Sequence, residues 1–466
     1  MKNIIASCFS FVAMFVTYAQ TSFQGGIYNN TTWSVANSPY TITGSVVVFP
    51  GKTLTIEPGV EILIDNSVNT NIYIETRGTI NCVGTSQLPI KIRTLIDTTA
   101  LGWQGFVCTN TQGGVLNANY FDIANAHTPF GYQTIDSLLT YNDCKFRHCF
   151  QAVTVGTAVN LNNCQFIHNE VGVYGWAYYT INDCLFKDNN TSIYAYASAF
   201  DMRNTNFIDN TVGVSFLSNA IDSIVISDCE FLNNELALNY PNNGKVYNCL
   251  FTDNTTALGN AYDCEIFDNQ FYYNELALDA SVKADIHNNQ INQNFGAIQI
   301  SYVFNVADSP IIYDNEICNN INYTINNNTN MNYSLLENCF CGLDSTEIEL
   351  SIIDGYDDIV KGLINYDVYD STCTTVTSSV IKFSQQPASV EEANDAASFL
   401  VVNPFTTELA ITFKDAKEHG IIIESFDGKL IYSGYTSSMV LPTTNWSNGT
   451  YYITIDQQIH KQLIKL

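Results

Sequence analysis

Five side chains able to take or give a proton cluster in the first half of the chain: His148, His168, Lys187, Asp188 and Asp209. Of these, His148, His168, Asp188 and Asp209 each stand two residues after a phenylalanine, at Phe146, Phe166, Phe186 and Phe207, so they share one position of a repeat. Proton abstraction by a lyase needs a base, usually Lys or Arg, facing a carboxylate-bound cation, and this patch is the best equipped for such chemistry. The same position continues as Asn233, Asp253, Tyr273, Gln293 and Asn319, mostly polar residues that read equally as a hydrated turn edge.

Two further columns invite chemistry. Asp143, Asn163, Asp183, Asn204, Asp228, Asn248, Asp268, Asn288 and Asp314 could gather calcium, or could close turns by bonding their own backbone two residues onward. The turn reading needs no ion. Beside them run Cys144, Cys164, Cys184, Cys229 and Cys249. Stacked about 4.8 Å apart, these could form disulfides, but thiols behaving as small buried hydrophobes are the expected state. Outward tyrosines, Tyr178, Tyr179, Tyr194, Tyr196, Tyr272 and Tyr273, could stack on sugar rings or follow from strand propensity alone.

These positions recur because the chain repeats. Nine tetrads run from Asp143-Cys144-Lys145-Phe146 to Asp314-Asn315-Glu316-Ile317, with successive steps of 20, 20, 21, 24, 20, 20, 20 and 26 residues. Three residues after each aromatic or Ile comes Cys149, then Asn169, Asn189, Asn210, Asn234, Asn254, Asn274, Asn294 and Asn320. A unit near 20 residues, built of short apolar segments and Asn turns, is too short for paired helices and suits one coil of a β-solenoid. Coils pairing in parallel would stack equivalent residues. The Cys column and the column of Phe146, Phe166, Phe186, Phe207, Phe231, Phe251 and Phe271 then face inward together. The Asn column is expected at a tight turn, in left-handed backbone, with its amides bonded to the coil above or below.

The chain of 466 residues carries 18 Lys and Arg against 45 Asp and Glu, a formal net charge of -27, which disfavours nucleic acid and anionic membranes as partners. Lys2, an apolar run from Ile4 to Val16, and Thr17-Tyr18-Ala19 read as a secretory signal over residues 1–19, hence export. No later segment reaches the roughly 18 apolar residues of a membrane span. Export removes Cys8 and leaves 13 of the 14 cysteines, an odd number, with Cys339 or Cys341 to Cys373 the expected bridge. Residues 374–398 turn polar and read as a linker. Short strands parted by Gly, Asn and Asp turns over 399–466 indicate a small β-sandwich.

The stacked columns resemble those of right-handed parallel β-helix proteins, over residues 20–373. Thr32-Trp33-Ser34, Gly51-Lys52-Thr53-Leu54-Thr55-Ile56-Glu57-Pro58-Gly59 and Gly102-Trp103-Gln104-Gly105 resemble the opening coils of such exported proteins. Asn403-Pro404-Phe405, Asp427-Gly428-Lys429 and Asn448-Gly449-Thr450-Tyr451-Tyr452, with a Lys-containing final strand, resemble the type A sorting domain of the type IX secretion system of Bacteroidota. That resemblance implies engagement of the type IX machinery, passage through the outer membrane, and attachment or release. The paired Asp, His-Gly and Arg-x-Lys set of polygalacturonases and the signatures of pectate lyases are absent from the repeats.

The expectation is an all-β, monomeric, secreted or outer-membrane cell-surface β-helix that binds a glycan or surface partner without catalysis and without a cofactor, calcium being the alternative. A polysaccharide lyase or glycoside hydrolase using His148, His168, Lys187, Asp188 and Asp209 is the competing reading, and an inert envelope spacer the third. The near-constant step leaves little room for a walled cleft.

Overall fold

The computed structural model describes residues 21–370, 373 and 399–465, apart from 97–100, 109–113, 131–137, 157, 177, 197–198, 218–222, 304, 402–407, 414–418, 426–428, 447–448 and 456–458. Residues 1–19, read above as a signal, and 374–398, read as a linker, lie outside the described residues. The chain divides into two compact units between Lys382 and Phe383.

The first unit is a right-handed parallel β-helix in which each coil lays down three short strands. One coil comprises Ala158–Asn162, Gln165–Ile167 and Val171–Gly175. The next repeats it as Tyr178–Asn182, Leu185–Lys187 and Thr191–Ala195, each strand pairing in parallel with its counterpart one coil away. Register places like upon like. Phe146, Phe166, Phe186, Phe207, Phe231, Phe251 and Phe271 form a continuous internal row, with successive ring centroids 4.9, 4.5, 4.9, 4.8, 4.7 and 4.8 Å apart and planes within 9°. All seven are fully buried, and at one strand spacing apart they fill the core without a gap.

Two corners of each coil between Asp143 and Asn319 are tight, and each is made by one residue in left-handed backbone. At the first corner it is the Asx column, with φ from 48° to 56° between Asp143 and Asp314; at the second it is His148, His168, Asp188 and their successors, with φ from 50° to 60°. Short polar side chains tolerate that region best, which explains the residue types. The expectation that Asn169 and its column take the left-handed angle is corrected: the bend falls one residue earlier, and the Asn side chain is thereby turned inward.

There it forms a buried ladder. The Asn254 backbone N–H and Nδ2 both donate to Asn274 Oδ1 at 3.0 Å, and Nδ2 also donates to the Phe231 carbonyl of the preceding coil at 2.9 Å. The same pattern runs through Asn169, Asn189, Asn210, Asn234, Asn274 and Asn294. A second ladder at the first corner comprises Asn269, Asn289, Asn315 and Asn338. Earlier coils fill its seat with Cys144, Cys164, Cys184, Thr205, Cys229 and Cys249. Asn289 Nδ2 donates to the carbonyl two residues before it at 2.9 Å, and the Cys249 and Cys229 thiols do likewise at 3.3 and 3.1 Å. The thiol is thus a weaker donor in an amide's place.

The Asx column also departs from expectation. Its members alternate strictly, Asp then Asn, and Asn163 Nδ2 donates to Asp143 Oδ1 while Asn248 Nδ2 donates to Asp228 Oδ1 at 3.4 Å. Left-handed backbone and bonds between coils, rather than side-chain bonds two residues onward, account for it. Like carboxylates on adjacent coils would repel, and alternation avoids that.

The cysteine pairing agrees in part with expectation. Cys339 is bonded to Cys373, and a second bridge, Cys318–Cys341, was not foreseen. Both lie at the C-terminal end of the β-helix, where a short helix, Ser345–Leu350, is capped by Asp344 and Glu347. The ladder cysteines are thiols, and burial pushes Cys149, in the asparagine column, and Cys264, within the strand Thr256–Phe267, up to about 12.

The second unit is a β-sandwich of two antiparallel sheets. Phe399–Val401, Glu408–Phe413 and Ser438–Pro442 form one, and His419–Ser425, Leu430–Thr436, Gly449–Ile455 and Ile459–Lys465 the other. Leu409, Ile411, Ile421, Ile423, Tyr451, Ile453 and Ile455 are its core.

Two outcomes check this description. Asn254→Ala removes the acceptor for the Asn234 N–H and the donor to Phe231, and should lower stability by roughly 2–5 kcal/mol in urea denaturation, since each unsatisfied buried group costs about 1–3 kcal/mol. In a thiol titration of a chain beginning at Gln20, the nine cysteines Cys82, Cys108, Cys144, Cys149, Cys164, Cys184, Cys229, Cys249 and Cys264 should react in denaturant. Before unfolding, only the partly exposed Cys108 should respond at once; fewer than nine after unfolding would mean that the ladder is oxidised.

Candidate functional site

The His148–Asp209 edge sits on the second corner, projected outward by the left-handed residues themselves. The His148 and His168 rings stack at 5.1 Å. His168 Nε2 lies 3.9 Å and Lys187 Nζ 3.7 Å from the same Asp188 Oδ2, and Asn233 Nδ2 donates to Asp209 Oδ1 at 2.6 Å. Arg147, on the strand leading into this corner, makes a two-pronged bond to Asp122 of the preceding coil at 2.9 and 3.0 Å. The predicted residues therefore do come together on neighbouring coils, and their charges are answered by their own neighbours. For the calcium reading of the Asx column, successive carboxylates stand two coils apart, roughly 10 Å by strand spacing, wider than one cation bridges.

A second cluster lies on the outer face of the first strands. Tyr247, Phe267, His287 and Tyr313 stack at 5.1, 5.3 and 4.9 Å. Glu265 beside them bonds Lys245 Nζ at 2.6 Å and His287 Nε2 at 3.3 Å; the Lys245 bond, opposed by partial burial and helped by His287, holds its carboxyl below the usual range.

The third edge, joining the third strand of one coil to the first of the next, has neither ladder, and its length varies. The steps of 24 and 26 residues arise there, at 217–223 and 301–310. It is also aromatic. Tyr174 and Tyr194 pair in register with rings 5.9 Å apart, Trp176 packs on Tyr196 at 4.8 Å, and Trp176 and Tyr178 are 63% and 55% exposed. The expectation that Tyr179 points outward is corrected. It is buried, in register with Val159, and its hydroxyl donates to the Gly175 carbonyl at 2.6 Å.

Further along this edge a pocket of about 430 Å³ opens, lined by Tyr240, Asn260, Tyr262, Ser281, Tyr302 and Asp308. Tyr240 comes from a short connection and Tyr262 from the long strand Thr256–Phe267; Tyr302 and Asp308 come from the 301–310 insertion, which walls it. The insertion is tied down at both ends. The Ser301 hydroxyl donates to Asp279, and the Lys283 backbone N–H donates to the Asp308 carbonyl at 2.8 Å, with Lys283 Nζ 3.5 Å from the Asp308 carboxylate. Tyr240 and Tyr302 have φ of 55° and 56°, a region that bulky residues seldom adopt. The pocket escaped sequence reasoning. Its only signal was the 26-residue step, whose extra residues had no assigned place.

Residues 25–128 match the family model of the pectate-lyase-like beta helix domain. The match covers the opening coils, ahead of the repeats that carry the sites above. No curated protein and no solved structure matches the chain.

Burial lifts the Asp279 carboxyl above its ordinary value, against the opposing bonds from Ser301 and Gln299. The folded chain thus holds this proton more tightly than the unfolded chain, so the group's contribution to stability falls as pH rises through the raised value. Asp279→Asn should flatten that part of the profile, measured as urea midpoints between about pH 4 and pH 7. An unchanged slope would show that another group sets it.

Proposed function

We propose that this is an exported cell-surface β-helix protein that binds a glycan along its third edge without cleaving it. The observation that carries the reading is the set of aromatic side chains from Tyr174 and Trp176 to Tyr302 on the edge without an asparagine ladder, spanning six coil-to-coil steps or roughly 29 Å. Aromatic faces with a few fixed polar groups are what sugar rings require of a protein surface. Export is supported by the apolar leader and by the Asn-Pro-Phe, Asp-Gly-Lys and Asn-Gly-Thr-Tyr-Tyr motifs of the C-terminal sandwich, which resemble a type IX sorting domain and would hand the chain to that machinery.

The lyase or glycosidase reading draws on the stacked His148 and His168 beside Asp188 and Lys187. It is weakened by the pairing of those groups with one another on a tight corner. A glycan array probed with the chain beginning at Gln20, alongside Trp176→Ala and Tyr302→Ala, tests the leading reading; binding undiminished in both variants would place the ligand off this edge. Screening acidic polysaccharides for cleavage separates the two readings. Turnover lost in His168→Ala would overturn the non-catalytic assignment, and neither binding nor turnover would leave the structural spacer.

A further inference from the structure

Resting on the glycan-binding reading, we propose that the pocket between Tyr240, Tyr262 and Tyr302 is a preformed subsite for an uncharged sugar ring. Three features of the lining point to this class. First, its charges cancel: Asp308 is the only ionisable carboxylate in the wall, and Lys283 stands 3.5 Å from it. An anionic sugar would have to bring its charge beside that carboxylate in a chain of net charge -27, with no arginine in the lining to receive it.

Second, the polar groups suit hydroxyls. Asn260 Nδ2 donates to Asn239 Oδ1 at 3.0 Å, which fixes the amide plane, and the Ser281 hydroxyl donates to the Ala261 carbonyl at 2.5 Å and keeps oxygen lone pairs for a hydroxyl donor. Third, the walls are aromatic and held in advance. The Tyr240 and Tyr262 rings lie 5.7 Å apart at 34°, and Tyr302, 65% exposed, joins the lining from the residue after Ser301, which is anchored to Asp279. Elsewhere the left-handed turn positions go mostly to Asp and Asn; a tyrosine there adds a ring at the expense of backbone ease. Asp279 is in this sense a positioning residue, since it acts on the wall and not on the ligand.

The test is calorimetric titration of the chain beginning at Gln20 with cello-, laminari-, malto- and manno-oligosaccharides, and with oligogalacturonates of matching length, at low and high salt. At least one neutral series should bind with little salt dependence, and oligogalacturonates should not. Tyr262→Ala and Tyr302→Ala should each weaken binding about tenfold or more, the loss typical of an aromatic anchor, while Tyr302→Phe retains most of it. Urea midpoints of the variants separate loss of the wall from loss of the fold. Oligogalacturonate binding equal to or tighter than the neutral series would overturn the inference and leave the glycan reading intact. So would neutral binding insensitive to both tyrosines but lost in Trp176→Ala, which would move the subsite up the edge. No binding by any series would sink the inference together with the reading on which it rests.

Discussion

In a parallel coil, the nearest neighbour of almost every side chain is its own counterpart about 4.8 Å away in the next coil. Residue types must therefore be compatible with themselves. Phenylalanine is, because flat rings at this spacing touch face to face, as from Phe146 to Phe271. Asparagine is too, since one amide carries both a donor and an acceptor and can pass a bond from coil to coil. Stacked aspartates repel, and the first-corner column alternates Asp with Asn from Asp143 to Asp314, whereas the second corner sets Asp188 next to Asp209 only once before Asn233. The acidity of the chain is thus spread so that carboxylates of the first-corner column never face one another directly.

The ladders also decide where the fold can vary. An amide such as Asn254 bonds to the coils on both sides, so an inserted residue at either tight corner would break contacts in three coils at once. At the third edge the described bonds between coils are scattered, as from Asn260 to Asn239 and from Asn239 to Ser215, and form no continuous ladder. Extra residues collect there, at 217–223 and 301–310, and the second of these insertions forms a pocket wall. Rigid corners and a permissive edge are two consequences of one bonding pattern.

The same logic separates what the sequence disclosed from what it concealed. The Phe, Cys and Asn columns were legible because register is one repeat and identical types recur. Backbone conformation was less so. Asn is the usual left-handed residue, yet here that angle belongs to His148, His168 and Asp188, and the buried amide of Asn169 is what the bend makes possible. Tyr179 looked like its neighbour Tyr178, but strand alternation sends one ring inward and the other out. The Cys318–Cys341 bridge joins positions whose spacing follows no column, and the pocket draws on residues from turns of unequal length. Neither leaves a periodic trace, and periodicity was the main source of the reading.

Regular stacking bears on chemistry as well. A catalytic cation has to face substrate with its charge unanswered by the protein, whereas an adjacent coil offers a partner at every step. Arg93 meets Glu61, Arg147 meets Asp122, and Lys245 and His287 both meet Glu265, in each case across coils. Ion pairing of this kind holds basic groups to the scaffold, and at Lys245 the bond to Glu265 favours the protonated form, which cannot act as a base. Aromatic rings suffer no such loss, because stacking on a neighbour leaves the outermost face and edges available. The third edge therefore displays its rings in an array fixed by the stacking of the coils, which lowers the ordering cost for anything that matches it.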